Sequence, residues 1–244
     1  MYGWRARIGH LNPSPATVGL EEWRATAPDG VSFVGSRYMV DEYTREGVAR
    51  MLLDLERAAR EVASAGVAVI VQCSAIGGLE DEAEVRRRIE SATGITAITV
   101  LGSMVAALQA LRSERILLVS PYTLSLSDDL RGYLGTQGFE IVAARCLELR
   151  RSFEFGNVAP HEAYRLGKQL AQAHPEADTI LFSGGNLRTL ETLDPLAWDT
   201  GMKVLSSNMA ALWSALGVAG VGEPIRHGSL ARVSPRHVAV GGRH

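Results

Sequence analysis

Four segments of this 244-residue chain recur in the same order roughly 104 to 111 residues further on, and that repeat constrains the fold more than any other feature. Arg7-Ile8-Gly9-His10-Leu11-Asn12-Pro13-Ser14 matches Arg115-Ile116-Leu117-Leu118-Val119-Ser120-Pro121-Tyr122. Val69-Ile70-Val71-Gln72-Cys73-Ser74 matches Ile180-Leu181-Phe182-Ser183-Gly184-Gly185, Thr93-Gly94-Ile95 matches Thr200-Gly201-Met202, and Ala106-Ala107-Leu108 matches Ala210-Ala211-Leu212. Each match lies at an element boundary, so the chain reads as two copies of one unit. Eight short apolar runs, at 7–11, 32–34, 67–71, 95–100, 116–119, 139–143, 179–182 and 203–205, predict buried strands. Helical spacing is found over 44–64, 80–91, 104–112, 125–134, 160–173, 187–197 and 209–216. This alternation predicts an α/β protein of two pseudosymmetric lobes, each a mostly parallel sheet flanked by helices. The expected lobes are 1–113, completed by the segment 218–244, and 114–217. Loops after equivalent strands then face each other across a cleft, where ligands of open parallel sheets bind.

Composition narrows the function classes. With 46% hydrophobic residues the chain can bury a large core, and 25 basic against 27 acidic residues leave no broad basic face for phosphates or anionic lipid. Neither nucleic acid nor a membrane is an expected partner. The opening residues lack the apolar stretch of a signal peptide and the weakly polar run 209–222 is too short to span a bilayer, so the expected location is the cytoplasm. Two cysteines and six scattered histidines give neither a disulfide framework nor a zinc site. Dinucleotide, nucleoside triphosphate and serine-hydrolase motifs are absent. The expectation is chemistry without metal or cofactor.

Cys73 is the candidate reactive group. It follows the most hydrophobic strand and precedes Ser74-Ala75-Ile76-Gly77-Gly78, where loop amides and a following helix start would lower a thiol pKa; the alternative is an inert buried cysteine. Cys146 has no such loop and reads as structural. In the second copy, Ser183-Gly184-Gly185-Asn186 opens a helix expected at Leu187, and its amides would form a nest for a carboxylate, unless the loop is a plain strand-to-helix turn. Tyr122, after Pro121, offers a hydroxyl to a substrate oxygen or packs at a sheet edge. Ser206-Ser207-Asn208 caps a helix at Met209. Arg37 and Arg188 are candidates to pair a distal carboxylate, and Phe153, Phe155 and Trp213 to line an apolar wall.

These motifs resemble the aspartate/glutamate racemase superfamily, within it the branch of maleate cis-trans isomerases and arylmalonate decarboxylases. The resemblance runs from Arg7-Ile8-Gly9 to Gly228-Ser229-Leu230. It rests on Asn186-Leu187-Arg188-Thr189, Val204-Leu205-Ser206-Ser207-Asn208 followed by Ala211-Leu212-Trp213, the Cys73 loop, Ala92-Thr93-Gly94-Ile95 and Pro121-Tyr122-Thr123. It implies a small carboxylate substrate held between the lobes, with Cys73 and Tyr122 catalytic and Ser14, Ser74, Ala75, Gly184, Gly185, Asn186 and Asn208 binding. A homo-oligomer is implied by the resemblance alone. The chain departs from the family pattern where a second cysteine is replaced by Gly184, where isomerases carry an asparagine and this chain has Ala16, and at Ser152, aligned with another such polar position.

One thiol rules out two-base racemisation. Two reactions need only one. A thiolate adds to maleate, leaves a single bond free to rotate, and is expelled; or a malonate-type acid loses carbon dioxide and one thiol protonates the enediolate. Decarboxylases of this branch use the cysteine of the opposite lobe, so one built on Cys73 would deliver its proton to the other face. Isomerisation is the first expectation, decarboxylation or another enediolate reaction the second, and a carboxylate-binding relic with a slowly alkylating thiol the third. The tail 232–244 lies past the resemblance and is expected to be disordered.

Overall fold

The computed structural model describes residues 2–40 and 42–235. Two four-stranded parallel sheets form the frame, with strand orders β2-β1-β3-β4 and β6-β5-β7-β8. The first holds β1 (Ala6–Pro13), β2 (Val31–Tyr38), β3 (Val69–Gln72) and β4 (Ala97–Thr99); the second holds β5 (Arg115–Ser120), β6 (Glu140–Cys146), β7 (Thr179–Phe182) and β8 (Lys203–Ser206). All eight expected strands are present and the topology repeats. β3 and β7 are buried at every residue, as continuous apolar runs in the middle of helix-covered parallel sheets should be.

The helices of the first half are α1 (Gly19–Thr26), α2 (Arg45–Leu52), α3 (Leu55–Ala63), α4 (Glu82–Thr93) and α5 (Val100–Ala110). Those of the second are α6 (Leu124–Thr136), α7 (Ser152–Gly156), α8 (Pro160–Ala173), α9 (Leu190–Thr200) and α10 (Ser207–Val218). The expected helix at 44–64 is two helices broken near Leu53, and α1 and α7 were not anticipated. α5 and α10 start alike, the hydroxyl of Thr99 accepting from Gly102 N at 3.0 Å and that of Ser206 from Met209 N at 3.3 Å. The two helices pack on each other. α10 is buried along its whole length from Ser207 to Leu216, which explains a helix apolar on every face.

The lobes are also joined by caps that cross between them. Val18 at the start of α1 offers no capping side chain of its own. Asn186 supplies one from the second half: its Oδ1 accepts from Thr17 N at 2.7 Å and Val18 N at 3.0 Å, while its Nδ2 donates to Ser152 O at 2.6 Å. In return Glu22 of α1 caps α9, Oε1 accepting from Thr189 N at 2.7 Å and Leu190 N at 2.9 Å. The described part of the C-terminal segment packs rather than trailing away. Trp213 Nε1 donates to Val233 O at 2.9 Å, and Ser234 Oγ to Gly222 O at 3.1 Å. Residues 236–244 of the expected disordered tail lie outside the described residues.

Strand register corrects one alignment. Cys73 N donates to Leu11 O and Ser183 N to Val119 O, each at 2.9 Å, while Gln72 pairs with Leu11 and Phe182 with Val119. Ser183 therefore occupies the place of Cys73 in the second sheet. Gly184 corresponds to Ser74.

His10, on β1, is buried edge-on against Trp23 with ring centroids 4.5 Å apart, and burial pushes its imidazole down from 6.5 to about 3. The unfolded chain takes up this proton below pH 6.5 and the folded chain only near pH 3, so stability falls as the pH drops through that window. Denaturant unfolding at pH 7.5 and 5.0 should show about 2 kcal/mol more loss in the parent than in His10→Leu. Equal losses would contradict the assignment.

Candidate active site

The carboxyl ends of β1 and β3, and the loops after β5 and β7, meet around a narrow cleft whose free interior is only about 10 Å³. Its walls are Asn12, Pro13, Ala16, Tyr43, Cys73, Ser74, Tyr122, Ser152, Phe155, Gly185 and Asn186. Both halves contribute, as loops at the ends of equivalent strands should. Wider hollows beside Arg45 and around Trp198 contain no cysteine.

Every lining side chain is uncharged. An anion here must be held by hydrogen-bond donors, and the backbone supplies them. The amides of Ser74 and Ala75 on one side, and of Gly185 and Asn186 on the other, have no partner among the described residues. The two loops come close: a Cβ on Gly185 would lie 3.4 Å from Cys73 O and 3.3 Å from Asn208 Oδ1. Glycine at 185 permits that approach.

Cys73 is 8% exposed, and burial pushes its thiol well above its ordinary value of 9.0, opposed only by the Leu11 backbone contact. This reverses the expected activation. A 3-10 turn over Ile76–Gly78 separates the thiol from α4, which starts at Glu82 rather than directly after the loop. Tyr43 stacks on Tyr122 with centroids 6.0 Å apart, and Phe155 closes the cluster at 5.3 Å from Tyr43 and 5.9 Å from Tyr122. Burial pushes the Tyr43 hydroxyl, which faces Ser74 and Ser152, up to about 12, and that of Tyr122, facing Ser183, higher still. The cavity wall therefore presents neutral thiol and phenol donors.

The structure brings Cys73, Tyr122, Ser74, Gly185 and Asn186 together at the cavity. Ala75 is buried in the same loop, behind the lining residues. Ser14 lies outside, its hydroxyl donating to Met39 Sδ at 3.3 Å. Asn208 also stands behind the wall, and Asn186 reaches the cavity with its side chain already committed to α1 and Ser152. Of the nest expected over 183–186, the Gly184 amide is used within the protein, whereas those of Gly185 and Asn186 are left to the cavity. Gly184 N donates to Ser207 Oγ at 3.2 Å, the helix begins at Leu190 rather than Leu187, and the carboxylate at its amino terminus is that of Glu22. Arg37 binds the carbonyls of Ser14 and Ala16, and Arg188 pairs with Glu191, so neither arginine faces the cavity. Phe153 is half exposed and Trp213 sits in the core. Asn12 and Tyr43 were missed; Asn12 had one signal, a polar residue just after the apolar run 7–11, and Tyr43 had none.

Comparison with known proteins follows the same lines. A family model described as arylmalonate decarboxylase matches residues 12–231. The chain belongs to the arylmalonate decarboxylase family. Among curated members, maleate isomerase of Pseudomonas putida is 27% identical over 93% of this chain and 97% of its own, and arylmalonate decarboxylase of Bordetella bronchiseptica is 25% identical over 91% and 93%. Solved structures share the fold. A cysteine-to-serine mutant of Nocardia farcinica maleate cis-trans isomerase with a covalently bound succinylcysteine intermediate superposes with a TM-score of 0.85 at 23% identity, covering 93% of this chain and 98% of that one. A liganded arylmalonate decarboxylase, with one glycine changed to cysteine and one cysteine to serine, gives 0.86 at 24%, covering 92% and 98%.

A side chain at Gly184 would not fit. The residue's φ is +142°, and a Cβ there would lie 2.6 Å from Pro121 Cδ. Gly184→Cys should lose about 2 kcal/mol or more in urea unfolding; parental stability would contradict the clash. Iodoacetamide should label Cys73 of the free protein slowly at pH 7, with a rate that climbs above pH 9. A plateau below pH 8 would contradict the burial shift. Slow labelling of the free protein thus fails to single out a binding relic.

Proposed function

We propose that this chain is a cofactor-independent enzyme of small dicarboxylates that uses Cys73 as its one nucleophile, with cis-trans isomerisation of maleate or a close analogue as its reaction. The observation that carries this reading is the placement of a single thiol in a small, closed, uncharged cavity between two loops whose amides are unpaired. The Ser74 amide holds one carboxylate and those of Gly185 and Asn186 the other, which fixes the alkene over the sulfur. The Tyr43 and Tyr122 hydroxyls add donors. The succinylcysteine of the Nocardia enzyme has the same carbon–sulfur bond, with the neighbouring carbon protonated.

No lining side chain is a base at neutral pH, so the substrate carboxylate takes the Cys73 proton. The sulfur then adds to one alkene carbon. A C–S bond forms, the π bond breaks, and its electron pair moves into the protonated carboxyl group as an enediolate-type centre. The remaining single bond rotates, the C–S bond breaks, the double bond reforms, and the proton returns to sulfur. Atoms and charge balance without a second acid or base, in keeping with glycine at 184.

The second reading is decarboxylation of a malonate-type acid. It is favoured by the burial that keeps Cys73 protonated, since a proton donor must start as the thiol. Proton NMR in deuterated water with maleate and, separately, phenylmalonate distinguishes the two. Fumarate is expected from the parent, and Cys73→Ala should lower its formation by about three orders of magnitude or more. Carbon-bound deuterium in fumarate would report an adduct protonated by solvent, and its absence an enediolate that never was. Carbon dioxide release from phenylmalonate, with one deuteron captured and maleate untouched, would put the second reading in place of the first. Full turnover by Cys73→Ala would sink both.

A further inference from the structure

The geometry points to Glu22 and Asn208 as positioning residues that aim the Asn186 amide into the cavity, an assignment that rests on the carboxylate-binding role proposed for that loop. Neither side chain lines the cavity. Asn208 Nδ2 donates to Glu22 Oε2 at 2.7 Å and to Gly185 O at 3.1 Å. Both partners are acceptors, so the orientation of the Asn208 amide is fixed by its surroundings. The Gly185–Asn186 peptide is trans, as are all described peptide bonds, and in a trans peptide the carbonyl and the following N–H point in opposite directions. Holding Gly185 O back against Asn208 therefore turns the Asn186 N–H forward. That N–H is one of the unpaired amides of the cavity wall.

Glu22 is what keeps Asn208 turned this way. It is 5% exposed and anchored on its other oxygen by the amides of Thr189 and Leu190. The Asn208 backbone carbonyl accepts separately from Trp23 Nε1 at 2.8 Å, a bond that does not involve the side-chain amide. A chain of contacts thus runs from the amino terminus of α9 through a carboxylate and an amide to one substrate-facing N–H. Crowding leaves the peptide little freedom: a Cβ on Gly19 would sit 3.1 Å from Gly185 O.

Glu22→Gln tests this with almost no change of shape. The glutamine oxygen still caps α9, but its nitrogen faces Asn208, which must flip to accept and thereby turns its own oxygen on Gly185 O. The peptide is repelled and the Asn186 N–H loses its aim. Succinate, a saturated dicarboxylate that cannot isomerise, is the binding probe, followed by calorimetry and by the Asn186 amide resonance. We expect Glu22→Gln to raise the succinate Kd and the KM about 10- to 100-fold, with kcat within threefold and the Asn186 resonance no longer moving on titration. Trp23→Phe removes the neighbouring bond to the Asn208 carbonyl. It should lower Tm comparably while leaving KM and the succinate Kd within twofold of the parent, which separates aim from stability. Parental succinate affinity in Glu22→Gln, or an equal loss in Trp23→Phe, would overturn the assignment. Absence of turnover in the parent with succinate binding intact would overturn the proposed reaction alone. Failure of the parent to bind succinate would overturn the positioning role as well.

Discussion

The exchange of caps between the lobes is the constraint on which the rest of this structure depends. Asn186 completes the first turn of α1 and Glu22 completes that of α9, so each lobe holds orphan donors that only the other satisfies. Separating the lobes would leave these groups buried and unpaired or would require water to enter, and such groups cost more to abandon than they gain by forming. The mutually packed α5 and α10 supply the apolar half of the same junction. A cavity only a few atoms wide survives between the lobes because both its walls are held by these fixed contacts.

That rigidity explains how an uncharged site can serve charged substrates. Amides held in place by the fold act as donors without the reorganisation that water or a flexible lysine would need. The cost appears at Cys73, whose burial favours the protonated thiol. A nucleophile formed only when a carboxylate arrives to take its proton remains unreactive otherwise, and a closed cavity makes that coupling natural. A second thiol has no room at Gly184. Pro121 occupies the space a side chain at 184 would need, and the chemistry reads as complete with one sulfur.

Much of the frame was legible because it is local or repeated. The eight strands follow from short apolar runs, and the pairing of two like sheets follows from the repeat. The Cys73 loop and the loop at Gly185 were placed at strand ends, which is where the cavity lies. What the sequence concealed is nonlocal. α1 carries no capping residue at Val18 because its cap, Asn186, lies far along the chain. The helix expected to open at Leu187 starts at Leu190, and the carboxylate at its amino terminus is Glu22, an unremarkable residue of a short helix. Helix spacing around Glu80 suggested an activated thiol, whereas a 3-10 turn and burial give the opposite. Tyr43 joins the site by stacking on Tyr122 across the lobes, and nothing in its own neighbourhood announces that.

The central claim is that one sulfur, at Cys73, carries the reaction. Rapid acid quench of the parent during turnover of maleate, followed by peptide mapping by mass spectrometry, tests it most directly. The account predicts one added maleate on the peptide containing Cys73 and none on that containing Cys146. Fumarate accumulating with no adduct at Cys73, or with the adduct at Cys146, would contradict it.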